Sequence, residues 1–265
     1  MNVNTTNTTA KKRILALALA LILLLLALTR VTLSYFTDTK KATNTFTYGN
    51  VSITQWENCT DTNESWTQFG IAFTNFLPIG TTSTDINAIR AANNYNTKRV
   101  MVRNDSSSSS VYVRTFVRVR KELVVSSSTP NYQLLHLDFN SGTRWQYTGT
   151  YEETIANNPY QVYLYTYSAS LPKDAKTDEL LNGVYLDPNA DIRAVNGHDK
   201  LVYVQGNEIK HDSGLDVYDD AGDPNSIQVD VATQAVQADG FTGDTAIADA
   251  FNAAFGRNDP WGGTF

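Results

Sequence analysis

Three histidines, one cysteine and two acidic loops are the residues of this chain with the most obvious chemistry to offer. A helical zinc-peptidase motif needs two imidazoles one turn apart with a glutamate between them as base. His136, His198 and His211 are each isolated, and no HExxH occurs. No GxSxG elbow occurs either, and Cys59 has no base beside it in sequence, so the signatures of nucleophilic catalysis are missing. As the only cysteine, Cys59 can form no intrachain disulfide; it reads as a small buried hydrophobe or a handle for a dimer. Asp187, Asn189 and Asp191 have the D-x-N-x-D spacing of a calcium loop, and calcium is the one cofactor the sequence offers. Yet Ile192 stands where the sharp-turn glycine belongs, and His198 where the bidentate glutamate belongs. That loop, and the second one holding Asp212, Asp216, Asp219, Asp220 and Asp223, read more simply as solvated. The expectation is a protein without catalytic residues, metal or resident cofactor.

Two stripes of side chains remain. Tyr163, Tyr165 and Tyr167 alternate along one strand face, where they can stack on sugars or another protein, or pack in a core. Arg114, Arg118 and Arg120 alternate along another, facing either an acidic partner or solvent. Both stripes demand strands to hold them. Residues 111–121 supply the clearest one: Val111, Val113, Thr115, Val117 and Val119 share a face, with Tyr112, Arg114, Phe116, Arg118 and Arg120 opposite. Further strands are expected at 69–74, 99–103, 160–167, 183–186, 201–205 and 226–235, and a hairpin over 132–150. Residues 81–96 are ambiguous. Ile247, Phe251 and Phe255 recur every four residues and predict one helix over 245–255, ended by Gly256. Many short strands separated by turns imply an all-β fold, a jelly-roll-like β-sandwich with short peripheral helices. No repeat or break divides it, so residues 51–265 form one domain.

The first 34 residues differ in kind. Lys11, Lys12 and Arg13 precede an unbroken apolar run from Ile14 to Leu28, and Thr32 and Ser34 place small residues before a cut between Ser34 and Tyr35. That is the pattern of a secretory signal peptide; an uncleaved membrane anchor is the alternative, and either puts the body outside the cytoplasm. Without this segment the body carries 17 basic against 27 acidic residues, the segment holding four of the 21 basic ones and no acid. A net charge of −10 argues against nucleic acid as a partner.

Residues 35–50 then form a β-rich arm. Tyr35, Phe36, Phe46 and Tyr48 supply aromatics, and Gly49-Asn50 breaks the run as a hinge. From Val51 the pattern alternates, with Val51, Ile53 and Gln55 on one face and Ser52, Thr54 and Trp56 on the other. This stretch resembles the N-terminal signature of the TasA/camelysin family. The matching parts are Tyr35-Phe36-Thr37-Asp38 at the cut, Asn44-Thr45-Phe46, and the Gly-Asn-Val-x-Ile strand from Gly49 to Ile53. The strands at 111–120 and 227–240 look like later strands of that family. The resemblance implies processing by a dedicated signal peptidase. It also implies a secreted, jelly-roll-like subunit of extracellular biofilm fibres, whose mature N-terminal strand completes the sheet of the next copy. Tyr35, Phe36, Phe46, Tyr48, Val51 and Ile53 are then the expected inter-subunit residues. The partners expected are other copies in a head-to-tail filament, with membrane contact only through an uncleaved signal segment. Two other readings stand beside it. One is a camelysin-like surface metallopeptidase, which the missing HExxH disfavours; the other is a monomeric surface adhesin that binds glycans through its tyrosines.

Overall fold

The structure, a computed structural model, describes residues 37–41, 44–46, 51–58, 70–72, 76–126, 128–140 and 142–261. The expected signal segment, with Ser34, and the arm residues Tyr35, Phe36, Tyr48, Gly49 and Asn50 lie outside them, as does Cys59. Among the described residues no helix is long and apolar enough to cross a membrane.

The fold is all-β and antiparallel. Its strands are β1 (Thr37–Lys41), β2 (Asn44–Phe46), β3 (Ile53–Asn58), β4 (Gly70–Ala72), β5 (Asn96–Thr97), β6 (Arg99–Asn104), β7 (Val111–Arg120) and β8 (Leu135–Phe139). They continue with β9 (Trp145–Ile155), β10 (Asn158–Tyr167), β11 (Leu181–Leu186), β12 (Ala190–Val195), β13 (His198–Gln205), β14 (Glu208–Asp216) and β15 (Ser226–Gln237). Among the described residues the helices are α1 (Ile86–Arg90), α2 (Lys121–Val124) and α3 (Ala246–Phe255). The main sheet runs β2-β1-β15-β7-β10-β9, with β4 also on β15. Smaller sheets are β5-β11-β8, β12-β13-β14 and β3-β6.

The strand β7 shows why the layers form. Its even alternation buries Val111, Val113, Val117 and Val119 in one core with Ile227, Val229 and Val231 of β15, Val100 and Val102 of β6, and Leu181, Val184 and Leu186 of β11. Burying a valine side chain is worth roughly 1.5–3 kcal/mol, so this face fixes the register: a one-residue slip would turn every valine outward. The tyrosine stripe belongs to the same core. Tyr167 is buried, and Tyr163 and Tyr165 pack with Phe139, the Tyr165 and Phe139 rings stacking at 4.5 Å. Burial pushes both the Tyr163 and Tyr165 hydroxyls up to about 12.

The hairpin expected over 132–150 does not form. β8 pairs with β11, and β9 pairs with β10, so the two strands belong to different sheets. The tight hairpin lies one step later, between β9 and β10, where Ala156 and Asn157 both take the positive φ that a type I′ turn requires. Residues 190–216, outside the expected strands except at 201–205, form a three-stranded meander. Asn196-Gly197 turns β12 into β13, and Gly206-Asn207 turns β13 into β14. The ambiguous stretch 81–96 holds α1, capped by the Asp85 carboxylate on the Asn87 N–H. The predicted C-terminal helix is α3, closed at Gly256.

Candidate assembly interface

The arm meets the domain along β15. One side of β15 pairs with β7 over its whole central length, from Val229 to Gln237. Its other side is covered in two pieces. β1 runs antiparallel there with Thr37 opposite Val236 and Lys41 opposite Ala232, and β4 takes Ser226 to Gln228. β2 folds back on β1, placing Phe46 opposite Thr39, so the arm is a two-stranded hairpin and not a lone strand. A main-chain ladder joins it to β15, and the ladder itself reads almost nothing of sequence.

Between the two pieces, at Val229 to Val231, a side chain does the work of a strand. Gln55, buried on β3, donates from Nε2 to the Val231 carbonyl at 3.1 Å. The same amide nitrogen donates to Glu57 Oε1 at 2.7 Å, and Thr233 Oγ1 donates to Gln55 Oε1 at 2.7 Å. Thr233 is itself hydrogen-bonded to Thr115 at 2.9 Å, and Lys98 donates to Glu57 Oε2. A buried carbonyl left unmatched costs about 1–3 kcal/mol, so Gln55 closes the one break in the edge. Val51 and Ile53, expected at the inter-subunit contact, are buried in the domain's own core beside this cluster.

Two members of the arginine stripe, Arg114 and Arg118, are covered by the C-terminal residues. Arg114, buried, donates from Nε to Gln234 Oε1 at 2.7 Å and from Nη2 to the Asn258 carbonyl at 3.3 Å. Its guanidinium lies 4.6 Å from the Phe251 ring of α3, and burial draws it down to about 10. Arg118 lies 4.1 Å over Trp261 and pairs with Asp230 at 2.8 Å and Glu153 at 3.3 Å. Tyr151 donates to Asp259 Oδ2 at 2.8 Å, and burial first, then that carboxylate, pushes its hydroxyl up. Arg120 turns to its neighbour Glu122 at 3.0 Å.

The calcium spacing resolves into a turn. Asp187 Oδ1 accepts from the Asn189 backbone and side-chain amides at 2.9 and 3.0 Å, and its Oδ2 lies 3.0 Å from His136 Nε2. Asp191 pairs with Arg193 at 2.7 Å. Burial pushes the Asp187 carboxyl up, but His136 and Asn189 together outweigh it and hold it below its ordinary value. Asp219 and Asp212 likewise accept from backbone amides of their own loops. Among the described residues no three histidines, cysteines or carboxylates gather as a metal would require. His198 approaches only Asp216, at 3.9 Å, and His211 the Glu122 carbonyl, at 2.7 Å. Neither a family model nor a curated protein nor a solved structure matches the chain.

Of these features, sequence reasoning placed Gln55 on one face with Val51 and Ile53 but missed Glu57 and Lys98. Their pairing spans 41 residues of chain, and no local pattern reports it.

Proposed function

We propose that the chain is an exported structural subunit of extracellular filaments, a jelly-roll-like sandwich that polymerises by exchanging its N-terminal arm. The observation that carries this reading is the hairpin of β1 and β2 on the edge of β15. It lies at the start of the body, joins the domain through residues 47–50, and is held by a backbone ladder. An identical arm from another copy makes the same ladder in the same register, so closed and exchanged forms differ little in bonding. Domain swapping of this kind needs no new contact. Because each copy gives an arm at one place and receives one at another, the contact is heterologous and propagates as an open filament. Val51 and Ile53 stay with their own core and mark where the moving part ends. Gly49 and Asn50 are the hinge, and Tyr35, Phe36, Phe46 and Tyr48 the anchors that add side-chain specificity. The TasA/camelysin resemblance supports the same reading.

Electron microscopy of protein trimmed at Tyr35 tests it. Filaments are expected from the trimmed form and none after removal of residues 35–47. Filaments that persist without the arm, or a trimmed form that stays monomeric at high concentration, overturn the proposal.

A further inference from the structure

Gln55, Glu57 and Lys98 lie together in the core, each at most 2% exposed. Gln55 and Glu57 are two residues apart on β3 and so share a face. Lys98 immediately precedes β6, the partner of β3, in which Val100 stands opposite Glu57. Lys98 Nζ donates to Glu57 Oε2 and Gln55 Nε2 donates to Glu57 Oε1 at 2.7 Å. An amine and a carboxamide therefore sit on the two oxygens of one carboxyl group, out of reach of bulk water. The Gln55 amide has only one sensible orientation. The Val231 carbonyl can only accept, so it faces Nε2 at 3.1 Å, and Oε1 is left to accept from Thr233 Oγ1 at 2.7 Å.

As a mere ion pair this arrangement costs much desolvation for little return. As a reaction centre each part has a use. The Thr233 hydroxyl already points at the oxygen where charge would develop on attack at the Gln55 carbonyl carbon. The Glu57 carboxyl touches both the amine that must lose a proton and the nitrogen that must gain one. Burial pushes this carboxyl above its ordinary value, further than Lys98 and Gln55 draw it down, so it takes up a proton more readily than an exposed glutamate.

We propose that Lys98 and Gln55 condense to an intramolecular isopeptide bond, with Glu57 moving the protons and Thr233 holding the oxyanion. The Lys98 ammonium gives a proton to Glu57, and the neutral Nζ attacks Gln55 Cδ. The new C–N bond forms as the carbonyl electron pair moves onto Oε1. Glu57 protonates Nε2, the Oε1 electron pair re-forms the carbonyl as the old C–N bond breaks, and ammonia leaves. Nζ returns its surplus proton to Glu57, which ends as the acid. One ammonium, one carboxylate and one carboxamide become one secondary amide, one carboxylic acid and one ammonia, with no external reactant. The bond ties β3 to the start of β6 in a chain whose single cysteine allows no disulfide. It does not depend on whether the chain polymerises.

The test is the intact mass of the purified full chain, and of the arm-deleted monomer, under denaturing conditions, followed by protease mapping. The expected result is a mass one ammonia below that of the sequence, with Gln55 and Lys98 in one joined peptide. Glu57→Ala should abolish the loss. Because that variant leaves a buried ammonium and can fail to fold, Thr233→Val is its companion: it keeps the shape and should slow ammonia release by ~100-fold. An unchanged mass after prolonged incubation overturns the proposal. So does loss of one water mapping to Lys98 and Glu57, or an ammonia loss mapping elsewhere. Wild-type kinetics in Thr233→Val overturn the oxyanion role. Since the arm-deleted monomer is read separately, failure here is distinguishable from failure of the filament reading.

Discussion

The N-terminal hairpin and the C-terminal helix both reach β15, one along its edge and the other across its outer face. The hairpin is held by main-chain bonds from Thr37 to Lys41. The helix and the residues after it are held by particular side chains: Phe251 packs on Val236 and under Arg114, and Trp261 packs on Arg118 and against Phe116. A ladder of peptide groups accepts any strand of suitable length, whereas a buried guanidinium between rings accepts only its own partner. If the arm passes between copies as proposed, the same ladder re-forms at almost no net change in bonding; the C-terminal cover cannot leave without exposing Arg114 and Phe116.

Four changes would break or sharpen that contrast. The largest effect is expected from Thr39→Pro, which removes a ladder N–H from a residue paired on both sides, with Gln234 and Phe46. Filaments should be lost in electron micrographs while the domain stays folded by circular dichroism. Arg114→Ala should do the reverse, lowering stability by about 3 kcal/mol in urea titrations through lost charged hydrogen bonds and ring contacts. It should leave assembly intact wherever the protein is folded. Trp261→Ala removes one ring from Arg118 and Phe116 and should cost about 1–2 kcal/mol by the same measurement. Asp187→Asn, remote from both ends, is the smallest. The folded carboxyl lies below its ordinary value, so its contribution is present above the unfolded pKa and is lost as pH falls through the folded one. Wild type should therefore lose up to about 1 kcal/mol below about pH 4 that the variant never had, seen as a flatter acid limb in melting temperature against pH.

The two faces of β7, the late strand and α3 were legible because each repeats one period over ten residues or more. The meander was not: β12 aligns Ala190, Ile192 and Ala194 on one face but buries only Ala190, and β14 is largely polar on both faces. Its real signals were the two-residue turns Asn196-Gly197 and Gly206-Asn207. The false hairpin over 132–150 followed from nearness in sequence, while the partner of β8 stands more than 40 residues on, at β11. Arg114 and Arg118 read as surface residues because nothing local to β7 announces the cover that residues 246–261 provide. At the arm, composition pointed to strands and Gly49-Asn50 to a break, but which edge receives them depends on where β15 ends up. The Gln55, Glu57 and Lys98 cluster was beyond reach for the same reason.

That last strand has a consequence for the order in which the molecule comes together. β15 is the last strand among the described residues, yet it lies inside the main sheet between β7 and β1, partners roughly 115 and 195 residues earlier. Pairings so distant in sequence are slow to find, because a long loop must close before any bond rewards it. Until residue 237 is free to move, β7 has an open flank and the arm has nowhere to dock. A chain in which β15 arrives so late thus stays loose until nearly all of it is free, and only then takes its shape.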